Sequence, residues 1–277
     1  MTLIPDTLLH HASPEHSPLA PWWGPLSFMV GQSRAWRLGS LYVRISRNIN
    51  EWQLEYHRPR HQNENMQDWE ILDIDTAFSE PTVLERYMFA HTGDSLSLYP
   101  RLADRSVIVK PINPIFIPAG QQGTLFVSTP LWMAGFVGGQ REPLFDIAIN
   151  RPKDSWFGPD TIKGELCYAT PVEGRTDLKQ LVPRAFRAVT PVHLHNTSST
   201  LLQLDRMNLP VQALPLFHCS DSGRIWTSQI RVVQDTPNRP PRIRIENRTP
   251  PQAGQVAFIQ PPRIGEAGLF HMFDSFF

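Results

Sequence analysis

SLSLYPRLADRSVIVKPINPIFIPAGQQGTLFVSTPLWM, residues 95–133, sets short apolar runs of Leu, Val, Ile and Phe between repeated Pro, Gly and Asn. Proline fixes φ and removes an N–H, so it belongs at strand starts, strand edges and turns. Runs of this length punctuated in this way predict short strands joined by tight connections, here over 96–99, 106–110, 115–117 and 124–128. The whole chain carries 27 prolines in 277 residues, about twice the roughly 5% of average sequences. A long helical bundle is therefore excluded.

Working outward, Leu41, Val43 and Ile45 alternate with Tyr42, Arg44 and Ser46. Trp52, Leu54 and Tyr56 alternate in the same way with Glu51, Gln53 and Glu55. A period of two marks strands with one buried and one wet face. Asn48 and Asn50 between them supply turn chemistry, so 41–57 reads as a hairpin. Further strands are predicted at 26–30, 37–39, 144–149, 164–169, 188–195, 201–204, 214–219 and 225–233. Residues 81–90 read equally as a helix or a strand: Pro81 suits a first helical position, and Val83, Leu84, Tyr87 and Met88 fall at helical spacing. Turn signals recur every eight to twelve residues or so, the spacing of a sandwich or barrel. The expected architecture is all-β: a β-sandwich-like body of many short antiparallel strands over 22–233, with at most one or two short helices. Residues 1–21 read as a flexible polar arm. Residues 234–277 read as a Pro-rich extension with two short strands, at 242–246 and 255–260, and a short aromatic C-terminal helix.

Lys plus Arg and Asp plus Glu both number 26, for a formal net charge of zero. That balance argues against nucleic acid as the main partner. Six arginines lie within 32–60, and seven acids with no Lys or Arg lie within 61–85. Such adjacent blocks could be neighbouring strands or loops facing each other, but a solvated face with a few weak ion pairs is the favoured reading. No apolar run approaches the roughly 20 residues of a membrane-spanning helix, and 1–21 lacks the basic and apolar regions of a secretory signal. Cys167 and Cys219 cannot make a disulfide framework, so a cytoplasmic location is expected.

WRLGSLYVRI at 36–45, LADRSVIVKP at 102–111, LFVSTPLWM at 125–133, DSWFGP at 154–159, GELCYA at 164–169 and AVTPVHLHN at 188–196 together resemble a prokaryotic domain-of-unknown-function family, number four hundred thirty-two. The resemblance covers about 22–233. It implies an all-β, soluble protein and brings no reaction, ligand or catalytic residue. Its association with neighbouring genes for small mechanosensitive channels implies a regulatory partner at the membrane.

Chemistry-bearing residues divide into four groups. His193 and His195, at i and i+2 of one strand, project from one face and could approach a Zn or Fe ion, with His218 or Cys219 as a third donor. The bland alternative, two histidines on the wetter face, is favoured because catalytic zinc needs three converging protein ligands. Asp73 and Asp75 with Glu70 could pair as acid and base, although charged edge residues that block strand pairing are commoner. Trp22, Trp23, Trp132 and Trp156 invite a sugar-stacking reading, against core packing as the default. No nucleophile elbow or phosphate loop occurs. In GLFHMFDSFF, Phe270, Phe273 and Phe277 form one helical stripe that Met272 and Leu269 widen. So short a helix must dock: on its own body, the favoured reading, in a partner's groove, or on a membrane surface, for which it lacks the usual basic face. The sequence thus favours a non-enzymatic interaction or regulatory protein that takes a protein partner through this tail. A metal-dependent enzyme using His193 and His195, and a carbohydrate-binding β module, are the alternatives.

Overall fold

A computed structural model describes residues 21–59, 68–73, 82–111, 113–158, 164–171, 174–237, 241–246 and 248–264. The strands run in chain order β1 (Gly24–Ser27), β2 (Ser33–Leu38), β3 (Leu41–Arg47), β4 (Glu51–His57), β5 (Trp69–Leu72), β6 (Val83–Met88), β7 (Ser95–Arg101), β8 (Val107–Lys110), β9 (Ile115–Ile117), β10 (Gln122–Pro130) and β11 (Trp132–Val137). They continue as β12 (Phe145–Ala148), β13 (Lys153–Phe157), β14 (Glu165–Pro171), β15 (Arg187–Asn196), β16 (Leu202–Leu204), β17 (Met207–Leu209), β18 (Leu216–His218), β19 (Ile225–Thr227), β20 (Ile230–Gln234), β21 (Arg242–Ile245) and β22 (Ala257–Gln260). The only helical pieces among the described residues are 3-10 turns of three residues each, at Leu178–Gln180, Val211–Ala213 and Pro251–Ala253. The protein is all-β.

Five sheets form. One has the order β5-β2-β3-β4-β6, and a second the order β1-β7-β11-β12. A third runs β13-β14-β8-β17, and β9 pairs with β16. The largest runs β21-β20-β15-β19-β18-β22, with β10 on the other side of β15. Most pairings are antiparallel as expected, but β8 with β14, and β15 with both β19 and β20, run parallel. All five sheets contribute to one continuous apolar core, through residues such as Val43, Leu98, Val109, Ile117 and Val192.

The hairpin over 41–57 forms as β3 and β4, and both alternating faces bury their apolar residues. Residues 83–88 are a strand, antiparallel to β4 and at the edge of its sheet. The helical spacing there was coincidental: the residues on β6 are mostly exposed, so no apolar stripe is buried. The single strand predicted over 225–233 is two, β19 and β20, broken at Ser228 and Gln229. The two short strands of the extension are present as β21 and β22, and they pair with β20 and β18. The acidic and basic blocks meet where β2 pairs with β5, with Arg37 donating to Glu70 at 2.6 Å.

Candidate functional site

A cleft of about 560 Å³ lies where the first two sheets, the β13–β14 sheet and the segment around Arg263 come together. That is an ordinary volume for a small-molecule site. One wall comes from β4 and β6. Tyr56 lies opposite Val83, so Glu85, two residues on, is its diagonal neighbour, and Tyr87 follows on the same face. The Tyr56 hydroxyl donates to Glu85 Oε1 at 3.1 Å, and the Tyr87 hydroxyl donates to Glu85 Oε2. One carboxylate is thus gripped by two phenols.

Arg58 continues the same face just beyond β4. Its guanidinium lies 5.2 Å from the centre of the Tyr56 ring and donates to the carbonyls of Ala148, at 3.0 Å, and Ile149, at 3.3 Å. The floor is built on β7, β11 and β12. Ala134 stands between Tyr99 and Asp146 in the register, and its small side chain lets Asp146 reach diagonally to Arg101 at 2.9 Å. Arg263 closes the floor from the other end of the chain. It donates to both oxygens of Asp146, at 2.9 Å to Oδ1, and to the Leu102 carbonyl at 2.5 Å. On the far side the Tyr168 hydroxyl donates to Asp104 at 2.9 Å, with the Arg105 guanidinium 5.4 Å from the Tyr168 ring centre.

The electrostatics suit holding more than proton exchange. Burial, then the neighbouring Glu85 charge, pushes the Tyr56 phenol above its ordinary value. Burial and the bond to Glu85 do the same to Tyr87, and burial and the bond to Asp104 do so to Tyr168. All three hydroxyls stay protonated donors at neutral pH. Burial pulls Arg58 and Arg101 below the usual guanidinium value, in Arg101 with help from the adjacent Arg263. Cations and carboxylates alternate around the cleft, while Trp132, Leu144 and Ile147 give it apolar wall.

Of the residues singled out in the sequence, Trp132 lines this cleft, although it is only 5% exposed and packs against Tyr168 at 5.5 Å. Trp156 does not line it: at 44% exposed it stands on β13 opposite Leu166. Trp22 is buried in the main core, with Trp23 beside it. His193 and His195 do share a face of β15, and Thr124 Oγ1 lies 3.3 Å from His193 Nδ1. His218 is elsewhere. It faces Ile225, which faces Ala188, so His193 is five residues farther along β15, roughly 16 Å of strand rise. Among the described residues no group of three His, Cys, Asp or Glu side chains is placed to hold a metal. Cys219 is buried and free, as is Cys167, whose thiol burial pushes up to about 12. Glu70 is taken by Arg37, and Asp73 follows the edge strand β5. Asp75, and Leu269, Met272, Phe270, Phe273 and Phe277 of the tail, lie outside the described residues.

Sequence reasoning missed Tyr56, Arg58, Glu85, Tyr87, Asp146 and Arg263 as a group. The one available signal was the end of the β4 alternation, where the inward-facing series Trp52, Leu54 gives way to a hydroxyl at Tyr56 and a cation at Arg58. No helix among the described residues is long and apolar enough to cross a membrane. A family model described as a protein of unknown function, DUF432, matches residues 22–274. No curated protein and no solved structure matches the chain.

Proposed function

We propose, for a chain that belongs to the DUF432 family of proteins of unknown function, that it is a regulatory binding protein whose cleft holds a small hydroxyl-rich acid, such as a sugar acid. The observation that carries this reading is the Arg58 guanidinium. Among the described residues its partners are carbonyl oxygens and the Tyr56 ring, and it sits at the cleft beside alternating carboxylates and phenols. Its Nε and Nη2 both donate to the Ala148 carbonyl, which leaves Nη1 as the charged donor for a ligand carboxylate. Hydroxyl groups both donate and accept, so they can satisfy Glu85 and Asp104 on one side and arginines on the other. A ligand of one charge alone would meet repulsion on half of the wall. The apolar strip at Trp132, Leu144 and Ile147 suits the C–H face of a sugar ring.

Titration calorimetry with glucuronate, glucose and acetate tests this. Glucuronate is expected to bind at least about tenfold more tightly than glucose, because the charge-assisted bond to Arg58 contributes about 1.5–3 kcal/mol. Arg58→Gln is expected to erase that preference. Failure of sugar acids and sugar phosphates alike to bind at millimolar concentration rejects the reading.

A further inference from the structure

A second hollow shares no lining residue with the cleft. It has a volume of about 100 Å³ and is lined by Trp22, Trp23 and Trp69 together with Asp68, Arg184 and His218. Three of the eight tryptophans of the chain converge on this small space. Core packing explains Trp22, which is 4% exposed and donates from Nε1 to the Ala185 carbonyl at 2.9 Å. Trp23 and Trp69 also pack against that core, yet both stay partly open and line this hollow.

The ring geometry is that of walls. Trp23 stands at 84° to Trp22 with centroids 5.6 Å apart, and at 86° to the His218 imidazole at 5.0 Å. These are edge-to-face contacts, so the rings brace one another, and aromatic faces carry negative quadrupole charge that attracts a cation. The polar groups point to a cation that needs no hydrogen bond. Asp68 Oδ1 accepts from Arg184 at 3.1 Å and Oδ2 accepts from the Ala185 amide at 3.2 Å, so each carboxylate oxygen already has one donor. Asp68 balances Arg184, and burial lowers the tendency of His218 to protonate, so no net positive charge opposes a ligand. A primary ammonium would trade its water for at most the remaining lone pairs of Asp68, whereas a methylated one has no N–H to satisfy.

We propose that this hollow is a binding site for a small quaternary or methylated ammonium group, held between the rings of Trp22, Trp23 and Trp69. It is independent of any ligand in the Arg58 cleft.

The test titrates the full chain with choline and with 3,3-dimethylbutanol, its neutral carbon isostere, by calorimetry and tryptophan fluorescence. Choline is expected to bind at least about tenfold more tightly than the isostere, the difference being the cation–ring attraction. Trp23→Ala is expected to weaken choline binding by about tenfold or more, with glucuronate binding in the cleft unchanged. Should Trp23→Ala fail to fold, Asp68→Asn serves instead: it leaves Arg184 unbalanced and should lower choline affinity severalfold without affecting the isostere. Equal binding of choline and its isostere would overturn the proposal. So would absence of choline binding, or choline affinity that survives either substitution.

Discussion

Asp146 accepts from two guanidiniums at once, and all three side chains are under a fifth exposed. Replacing it by Asn leaves Arg101 and Arg263 facing each other with one carbonyl oxygen between them. Breaking a buried ion pair costs about 3–5 kcal/mol, and partial exposure lowers that to about 2 kcal/mol here. Asp146→Asn should therefore shift the urea midpoint of unfolding downward with little change in slope. The histidines act in the opposite sense from a salt bridge. Burial, then Arg231 and His195, hold His193 below its ordinary value of 6.5, and burial alone does so for His218. The folded state then binds fewer protons than the unfolded chain as pH falls through the ordinary value, so stability drops there and rises again toward neutrality. Melting curves between pH 5 and 7.5 should show a Tm that climbs with pH by a few degrees. The double substitution His193→Gln, His218→Gln should flatten that climb; a slope unchanged in the double variant counts against this assignment.

Strands were the most legible elements. The alternation in 41–57 sets pairing, register and facing together, because with a period of two a one-residue slip would expose Leu41, Val43 and Ile45. Legibility failed at β6 because the half-buried face of this edge strand carries Glu85 and Tyr87 while its apolar Val83, Leu84 and Met88 are exposed, so burial alternates where hydropathy does not. It failed for the cleft for a different reason. Tyr56, Asp146 and Arg263 come from β4, β12 and the stretch beyond β22, and nothing local says that they meet. The same is true of Gly135 on β11, which reads as an ordinary break in an apolar run. In the fold it faces Phe145 on β12, and a Cβ at that position would lie 2.3 Å from the ring. Overpacking a tight core contact costs about 1–3 kcal/mol, so Gly135→Ala should destabilise by at least about 2 kcal/mol. Phe145→Leu removes the obstruction. In a double-mutant cycle by chemical denaturation the pair should be less destabilised than the sum of the singles, and strict additivity would show that the ring is not the cause.

One apolar core joins residues from Trp22 to Val232, and Ile243, Ile245 and Ile259 of the last two strands pack against it. The chain beyond β20 is thus part of the body's energetics. β21 pairs with β20 and β22 with β18, while Arg263 returns to Leu102 and Asp146, and its amide donates to the Gln212 carbonyl at 2.8 Å. Three truncations separate these contributions. A chain ending at residue 264 keeps all of them and serves as the reference. A chain ending at residue 262 loses the Arg263 bonds, including the return to Asp146, and should be destabilised by about 2 kcal/mol relative to that reference. Because both changes remove the same ion pair, Asp146→Asn should cost less in the 262 chain than in the 264 chain. A chain ending at residue 240 removes β21 and β22, baring β20 and β18 as new edges along with the apolar surface that Ile243, Ile245 and Ile259 cover. It should lose the single sharp transition expected of one shared core and unfold broadly at a lower denaturant concentration. If the 240 chain instead melts as sharply and as late as the 264 chain, the last two strands are an appendage and the core ends at β20.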